Sequence, residues 1–216
     1  CLGDNYSWLH LPPYGCNAIQ APHFDRIVRE GVLFRNAFSG APSCAPSRSG
    51  ILTGQDIWRL AEGANLHGSL PGHLPTFPAL LEKAGYRVGY TGKGWAPGSV
   101  EAGGRTSNPA GEKFAGFREF LAQQPAAQPF CFWYGDVYSN PLGKPVVKEG
   151  VNLDTFRIPA FLPDVQATRD DFYYYFQRLR RLDAAMGEML QALERSGQLE
   201  NTLIVFTADN GMDFPR

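Results

Sequence analysis

The chain has 216 residues, of which 44% are hydrophobic and 13% aromatic, and this composition supports a folded core and excludes a disordered tail. Twenty Lys and Arg stand against 21 Asp and Glu, a formal net charge of −1, so no basic excess points to nucleic acid or to an anionic membrane surface. No apolar run approaches the roughly 20 residues that a membrane helix needs, and we therefore expect neither a membrane span nor nucleic-acid binding.

Helices and strands alternate along the first half of the chain, which predicts an α/β fold with a mostly parallel central sheet flanked by helices. A first helix opens at Ala21-Pro22 and ends at Gly31, and residues 32–38 then read as extended. Thr76 caps a second helix, which Gly85 ends before a strand over residues 86–91. The residues expected to face inward are Phe24, Ile27 and Val28 in the first helix and Phe77, Leu80, Leu81 and Ala84 in the second.

The second half of the chain contains the longest predicted helix, over residues 168–197, with Thr168 and Asp171 as a capping box. Its apolar stripe consists of Phe172, Phe176, Leu179, Met186, Leu190 and Leu193. Asp183 falls on this stripe, where a structural hydrogen bond or ion pair is favoured over a catalytic role. Residues 202–207 then form a β-branched and apolar run that suits a buried strand.

The remaining segments carry weaker signals. Residues 138–163 show no periodicity and are expected to form a long surface excursion beside the site. His10 and His23 read as surface or helix-start residues, while His67 and His73 lie in a Gly/Pro-rich loop. None of the four is given a role, although His67 is the one that could overhang a bound anion.

The most informative segment runs from Cys44 to Gly54. Pro46 suits the first turn of a helix and Gly54 its end, so Cys44 is expected at a helix N-terminus. Unpaired N–H groups and the positive end of the helix dipole favour an anion there, and Arg48 adds a planar charged group one turn later. These features predict a site for a tetrahedral oxyanion.

This segment resembles the sulfatase signature C-x-P-S-R-x-x-x-L-T-G. All seven fixed positions are present, as Cys44, Pro46, Ser47, Arg48, Leu52, Thr53 and Gly54. With equal residue frequencies such a match arises by chance about once in a billion start points. The resemblance implies an alkaline-phosphatase-like α/β fold. It also implies that a separate maturation enzyme oxidises Cys44 to formylglycine, whose hydrated aldehyde is the nucleophile.

Two polar pairs follow predicted strands. Asp4-Asn5 comes after a short apolar stub and Asp209-Asn210 after the run at 202–207, and sites in parallel sheets gather at the carboxyl ends of strands. Their oxygens suit Ca²⁺ or Mg²⁺. The resemblance implies that both pairs, together with Cys44, hold a divalent cation, usually calcium. Asn5 stands where the family more commonly has Asp, so one anionic ligand is lost.

Lys93 lies in the segment Thr91-Gly92-Lys93-Gly94-Trp95, which resembles the family segment whose lysine contacts sulfate. The resemblance therefore implies a catalytic and substrate-binding role for Lys93. Trp95 stands where the family commonly has a histidine, and no histidine follows His73. The acid that protonates the leaving group is unassigned, with Asp136, Tyr138 or a residue outside this chain as candidates.

The resemblance extends from Asp4 to the end of the chain but covers the N-terminal part of a sulfatase. Residues 1–216 are thus expected to be the N-terminal portion of a sulfatase catalytic domain, without its C-terminal subdomain. The segments at 5–8, 92–95 and 209–212 are most similar to the heparan N-sulfatase-like branch. The resemblance implies export to a periplasm, a lysosome or the exterior of the cell. No export signal is visible in this sequence.

The function predicted from these features is hydrolysis of a sulfate ester or sulfamate, on a sulfated glycan or aryl sulfate. Arg48 and Lys93 are expected to stabilise charge on the equatorial oxygens. One alternative is a phosphodiester or phosphonate hydrolase of the same superfamily. Another is a non-catalytic binder of sulfated glycan, which the missing histidines and Asn5 motivate.

Overall fold

The computed structural model describes residues 1–125, 127–137 and 146–212, and it divides the chain into two units. The sheet unit consists of Cys1–Asn5, Phe38–Val137 and Thr202–Gly211. The helix unit consists of Tyr6–Ala37, Tyr138–Asn201 and Met212–Arg216. Cys44, Arg48, Lys93 and the pairs Asp4-Asn5 and Asp209-Asn210 all belong to the sheet unit.

The strands are β1 (Leu2–Gly3), β2 (Arg87–Gly92), β3 (Glu112–Lys113), β4 (Phe130–Gly135) and β5 (Thr207–Ala208). The helices are α1 (Pro22–Glu30), α2 (Cys44–Thr53), α3 (Phe77–Lys83), α4 (Phe117–Ala122) and α5 (Gln166–Arg195). Short 3-10 helices lie at Trp8–His10, Pro12–Tyr14, Ile57–Arg59, Ala61–Ala64, Glu101–Gly103 and Leu199–Asn201. Within the described residues, no helix has both the length and the apolar character needed to cross a membrane.

The five strands form one sheet in the order β3-β2-β4-β1-β5, and every neighbouring pair is parallel. The register of the longest pair runs from Arg87 opposite Phe130 to Gly92 opposite Gly135. Leu2 lies beside both Gly135 and Thr207, so β1 joins the middle of the sheet to β5. The predicted α/β class is confirmed, and the carboxyl ends of these strands share one edge.

The core of the sheet unit forms around α2 and the central strands. Leu2, Leu52 and Trp133 belong to one buried cluster, together with Trp95, Ala45, Leu70 and Ala110. Burial of such large apolar side chains contributes roughly 1.5–3 kcal/mol each. Helix α2 is buried over most of its surface, from Cys44 to Ser49 and at Leu52, which is typical of a helix inside a core.

The helix unit is organised by α5, whose predicted apolar stripe is buried throughout. Asp183 lies on that stripe with 4% of its surface exposed, and its carboxylate accepts hydrogen bonds from α1. Its Oδ1 accepts hydrogen bonds from the backbone N–H groups of His23 (3.1 Å) and Phe24 (2.8 Å), in the first turn of α1. A carboxylate there satisfies N–H groups that have no partner within the helix. The structural interpretation of Asp183 is therefore confirmed.

The prediction for His10 was wrong, because this residue is buried rather than exposed. Its ring packs edge-on against Phe156, Phe172, Tyr175 and Phe176. The ring atom Nδ1 lies 3.0 Å from the Tyr175 hydroxyl, which also accepts a hydrogen bond from the backbone of Ser7. Those partners lie more than 140 residues away along the chain, so no local pattern around His10 indicates its burial.

Two of the expected extended segments differ from the prediction. Residues 32–38 form no strand, and Val32 and Phe38 are exposed. The run at 202–207 enters the sheet only at Thr207, and Leu203 is 89% exposed. The prediction of a buried strand was wrong because β5 pairs with β1 on one side and is the edge strand of the described sheet.

Two helix details also differ. Helix α5 begins at Gln166, so Thr168 lies inside the helix, and Val165 precedes it without a side-chain cap. Helix α3 begins after Thr76 as predicted, but Pro78 is its buried residue, whereas Phe77, Leu80 and Ala84 are exposed. The period of so short a helix fixes which residues share a face but not which face meets the sheet.

The segment 138–163 is only partly the surface excursion that was expected. Residues 138–145 lie outside the described residues. Residues 146–163 contain no helix or strand, but Val151, Leu153 and Ile158 are buried. The side-chain amide of Gln177 in α5 donates to the carbonyl oxygens of Val147 and Glu149, and so fixes the start of this segment. This segment thus contributes to the core of the helix unit.

The burial of His10 leads to a testable pH dependence. Burial lowers its pKa from 6.5 to about 4, so the folded protein holds this ring neutral where the unfolded chain protonates it. The free energy of unfolding is therefore at its full value above pH 6.5. It falls by about 3 kcal/mol in total as the pH is lowered towards 4, because only the unfolded chain takes up the proton. Urea unfolding between pH 4 and pH 7.5 should show this slope for the wild type and a shallower one for His10→Phe. Parallel stability curves for the two proteins would contradict the prediction.

Candidate active site

Polar side chains gather where the parallel strands end. Asp4 and Asn5 follow β1, Lys93 follows β2, and Asp209 and Asn210 follow β5. Asp4, Asn5, Asp209 and Asn210 are all buried, with 5% or less of their surface exposed. Their convergence agrees with the rule that sites in parallel sheets form beyond the carboxyl ends of strands.

The two Asx pairs contact each other directly although 204 residues separate Asn5 from Asp209. The backbone N–H of Asn5 donates to Asp209 Oδ1 at 3.0 Å, and Asn210 Nδ2 donates to Asn5 Oδ1 at 2.5 Å. Asn5 has a φ of 65°, a left-handed conformation that Asn tolerates better than most residues. The local backbone therefore suits an Asn at this position.

Cys44 is the first residue of α2 and follows the N-cap Ser43, as the signature predicted. Its Sγ lies 3.7 Å from both Asp4 Oδ1 and Asn5 Oδ1. One ligand atom each from Asp4, Cys44 and Asp209 lies within 4.8 Å of the others. The structure thus brings Cys44 and the two carboxylates into one buried cluster.

The surroundings of the Cys44 thiol favour its protonated form. Burial raises its pKa, and the negative charges of Asp209 and Asp4 raise it further, while Lys93 opposes them. Since the thiolate is the reactive form of cysteine, these neighbours keep the side chain protonated and weakly reactive.

Arg48 holds the two carboxylates together. Its side chain has no exposed surface; Nε donates to Asp209 Oδ2 at 2.9 Å and Nη2 donates to Asp4 Oδ1 at 3.0 Å. Nη1 donates to the carbonyl oxygens of Lys93 (2.7 Å) and Gly94 (2.8 Å). The sequence suggested that Arg48 contacts the substrate, whereas the geometry commits its guanidinium to protein acceptors.

Lys93 is the more accessible cation of the site. Its Nζ donates to Asp4 Oδ1 at 2.7 Å, and its side chain is 18% exposed. Burial tends to raise the pKa of Asp4, but the hydrogen bonds from Lys93 and Asp209 and the charge of Arg48 outweigh it and hold that pKa below its ordinary value. Burial raises the pKa of Asp209, whose neighbour Asp4 adds to the effect.

Two hydroxyl groups fix the Asp209-Asn210 turn from behind. Ser47 and Ser39 both donate to the backbone carbonyl oxygen of Asp209, the latter at 2.7 Å. Ser47 belongs to the signature, so the motif itself was a signal for its role. Ser39 was missed, because its contact depends on the path of the loop before α2 and not on any local pattern.

The last residues of the signature have structural roles. Leu52 is fully buried in the core of the sheet unit. The Thr53 hydroxyl donates to the Ser49 carbonyl oxygen at 2.7 Å, and Gly54 ends the helix in the left-handed conformation with a hydrogen bond to Gly50. These residues keep α2 in place and so position Cys44 and Arg48.

Asp136 and Tyr138, the candidates for the leaving-group acid, and His67, the histidine that could overhang a bound anion, have no established contact with the cluster. Asp136 follows β4 at the same edge of the sheet, and its backbone N–H donates to the Leu2 carbonyl oxygen at 2.9 Å. Tyr138 lies outside the described residues. His67 is exposed on the loop after the 3-10 helix Ala61–Ala64. Asp136 and His67 therefore stay predictions.

The donor set fits a divalent cation. Asp4 and Asp209 supply carboxylates, Asn5 and Asn210 supply amide oxygens, and such hard oxygens are preferred by Ca²⁺ and Mg²⁺. Among the described residues, Asn210 Oδ1 is a buried side-chain oxygen that has no hydrogen-bond partner. A buried amide oxygen in that state is costly unless a cation or a donor meets it.

Comparison with known proteins decides the family. The model of the sulfatase family matches residues 2–149 and 112–214, and therefore most of the chain. The chain belongs to the sulfatase family. This confirms the resemblance that the signature indicated.

Relatives of this sulfatase-family chain include the N-sulphoglucosamine sulphohydrolase of Homo sapiens, which is 30% identical over 247 aligned positions covering 94% of the chain and 48% of that protein. The ulvan-active sulfatase of Formosa agariphila is 28% identical over 96% of the chain and 42% of its own length. The chain thus spans about half the length of the curated relatives that it matches.

Solved structures support the fold. A phosphonate monoester hydrolase from Silicibacter pomeroyi superposes with a TM-score of 0.73 at 18% identity, over 97% of the chain and 61% of that protein. A sulfatase structure from a study of glycosaminoglycan metabolism by Bacteroides thetaiotaomicron gives a TM-score of 0.71 at 19% identity, over 97% of the chain and 60% of that protein. The predicted alkaline-phosphatase-like fold is therefore confirmed.

The role of Arg48 can be tested through stability. Arg48→Met keeps the length of the side chain but leaves two buried carboxylates without their shared partner, so we expect a loss of about 3–5 kcal/mol in the free energy of unfolding. Arg26→Met is the matched control, because Arg26 pairs with the exposed Glu30 and Glu194 and should cost less than about 1 kcal/mol. Urea unfolding measures both, and equal losses would contradict the assignment.

Proposed function

We propose that the protein hydrolyses sulfate esters or sulfamates with a formylglycine derived from Cys44. The observation that carries the proposal is the position of Cys44 at the start of α2, with Sγ 3.7 Å from Asp4 and Asn5 oxygens at the sheet edge. A hydrated aldehyde at this position supplies two hydroxyls, one to attack sulfur and one whose deprotonation expels sulfate.

A divalent cation, most readily Ca²⁺ and alternatively Mg²⁺, would be held by Asp4, Asn5, Asp209 and Asn210, next to residue 44. When bound, such a cation polarises a sulfate oxygen and lowers the pKa of the attacking hydroxyl. The carboxylates are held in place by Arg48, and the Asp209-Asn210 turn by Ser39 and Ser47. These contacts preorganise the ligand oxygens before any substrate arrives.

Lys93 is the cation that we assign to the substrate. Its amine is partly exposed beside Asp4, whereas Arg48 is fully buried. An ammonium group at the rim can follow a sulfate oxygen as negative charge develops, an effect worth roughly 3–4 kcal/mol for a well-placed donor. Arg48 then acts through the carboxylates and the Lys93 backbone, and in this way supports the charge balance of the site.

A sulfated glycan is the substrate class that we favour. Two relatives are named for sulfoglucosamine and for ulvan, and one structural neighbour was solved with its substrate D-glucosamine-2-N,6-O-disulfate. The proposal includes a formylglycine-generating maturation enzyme as a partner and export to a periplasm, a lysosome or the exterior. Release of inorganic sulfate from N- and O-sulfated glucosamine would separate sulfamate from ester cleavage.

A second candidate function is phosphodiester or phosphonate hydrolysis, because the fold matches a phosphonate monoester hydrolase with a TM-score of 0.73. The Lys93 ammonium group and a divalent cation held by the four oxygen ligands would suit a phosphoryl group as well as a sulfuryl group. Parallel assays with nitrophenyl sulfate and a nitrophenyl phosphodiester distinguish the two. Tight binding of sulfated oligosaccharide by the matured protein without sulfate release would instead favour the non-catalytic binder.

The modification of Cys44 gives a mass signature. Exchange of CH₂SH for CHO lowers the mass of the peptide that contains residue 44 by about 18 Da. We expect this loss in active preparations, and Cys44→Ala should lack both the loss and sulfatase activity, whereas Cys131→Ala should keep both. Full activity in a preparation with an unmodified thiol at residue 44 would rule out the proposed nucleophile.

The ligand set predicts the effect of restoring the missing carboxylate. Asn5→Asp adds an anionic oxygen to the cluster, so we expect Ca²⁺ to bind about tenfold more tightly and the unfolding temperature without Ca²⁺ to fall. Calorimetric titration with CaCl₂ and thermal unfolding with and without EGTA measure these effects. Asn210→Ala should weaken binding, and identical Ca²⁺ affinity in all three proteins would contradict a cation site here.

A further inference from the structure

The turn that carries Lys93 is bound tightly to the site. After β2 ends, the carbonyl oxygens of Lys93 and Gly94 both accept hydrogen bonds from Arg48 Nη1, at 2.7 and 2.8 Å. Trp133 Nε1 adds a third bond to the Lys93 carbonyl oxygen, at 3.1 Å. The position of the Lys93 amine against Asp4 therefore depends on the backbone of residues 93–95.

The turn is anchored at its first end by the neighbouring strand. Lys93 N–H donates to the Gly135 carbonyl oxygen at 3.0 Å. Gly92 precedes it with a φ of 69°, and a Cβ at that position would lie 2.0 Å from the Gly135 oxygen. A residue other than glycine at 92 would force β2 and β4 apart at the site.

The second end is anchored by Asn108, a residue with no role in the proposed chemistry. Its Oδ1 accepts the N–H of Trp95 at 3.0 Å, and its Nδ2 donates to the carbonyl oxygen of the same residue at 3.0 Å. Oδ1 also accepts the N–H of Ala110 at 3.0 Å, which fixes the amide plane. One side-chain amide thus pairs both backbone groups of Trp95, and this needs a donor and an acceptor on the same group.

The side chain of Trp95 carries this anchoring to the signature helix. Trp95 is 2% exposed, and its Nε1 donates to Ser49 Oγ at 2.8 Å. Ser49 follows Arg48 directly in α2 and is itself fully buried. Asn108, Trp95 and Ser49 therefore connect the Lys93 turn to the helix that carries Cys44 and Arg48.

We propose that Asn108 is a positioning residue of the active site, which fixes the Gly94-Trp95 backbone and thereby holds the Lys93 amine and carbonyl group in register with Asp4 and Arg48. Its effect on catalysis rests on the proposed function of Lys93. Its effect on the geometry of the turn does not, so the two can be measured separately.

The geometric effect is tested without catalysis. In Asn108→Ala we expect faster amide exchange in the peptide that spans residues 93–96, and several-fold faster acylation of Lys93 relative to the distant Lys83. Ser107→Ala is the matched control, because Ser107 is the exposed neighbour of Asn108 and should change neither rate. Unchanged exchange and acylation in Asn108→Ala would overturn the proposal.

A second variant keeps the test valid if Asn108→Ala does not fold. Asn108→Asp retains acceptors for the N–H groups of Trp95 and Ala110 but removes the donor to the Trp95 carbonyl oxygen. We expect acylation of Lys93 in this variant at a rate between those of the wild type and a fully released turn. An acylation rate equal to that of the wild type would overturn the role of the Nδ2 donor.

The catalytic effect is tested by a double-mutant cycle with nitrophenyl sulfate. Asn108→Ala should lower kcat/KM by roughly 10- to 100-fold, the cost of a misplacement of about 1 Å. In a Lys93→Ala background the same change should lower kcat/KM less than about threefold, because the amine that Asn108 positions is gone and only the residue 93 carbonyl group remains for it to hold. An equal loss of kcat/KM in both backgrounds would show that Asn108 has a merely structural role. If the wild type releases no sulfate, the proposed function fails, while the exchange and acylation measurements still decide the role of Asn108.

Discussion

The arrangement of the site depends on one buried guanidinium. Arg48 joins Asp4, near the start of the chain, to Asp209, near its end, and its Nε, Nη1 and Nη2 atoms each donate to an acceptor inside the protein. Two buried carboxylates would repel each other and would be costly to desolvate without such a partner. Together with Lys93, Arg48 balances their charge, so a divalent cation added to this cluster makes the site electropositive. Such a site favours an anionic substrate.

Much of this arrangement could be predicted from the sequence, because it follows from local rules. The signature placed Cys44 at a helix N-terminus, and the position of the Asx pairs after apolar runs placed them at one sheet edge. The apolar period of α5 identified its buried stripe, and Asp183 on that stripe is the partner of the α1 N-terminus. In each case the residue type and its spacing were sufficient to predict the position of the side chain, since that position follows from helix or strand geometry.

The remainder depends on contacts between distant parts of the chain. The signature places Arg48 one turn into α2, but it does not identify the partners of Arg48. These come from residues 4, 93, 94 and 209. The aromatic surroundings of His10 come from α5 and Phe156, so a histidine in a short polar segment gave no sign of burial. The apolar run before β5 predicted a buried strand, whereas its exposure depends on which strands lie beside it in the sheet.

The neighbouring positions of β1 and β5 also have a kinetic consequence. The hydrogen bond from Asn5 to Asp209 closes a loop of 204 residues, which makes this corner of the sheet one of the contacts with the highest sequence separation. At a synthesis rate of roughly 5–20 residues per second, about 10–40 seconds separate the emergence of the two strands from the ribosome. During that interval the thiol of Cys44 is not yet enclosed. A maturation enzyme of the kind proposed above would therefore reach Cys44 more readily on the nascent chain than in the folded sheet.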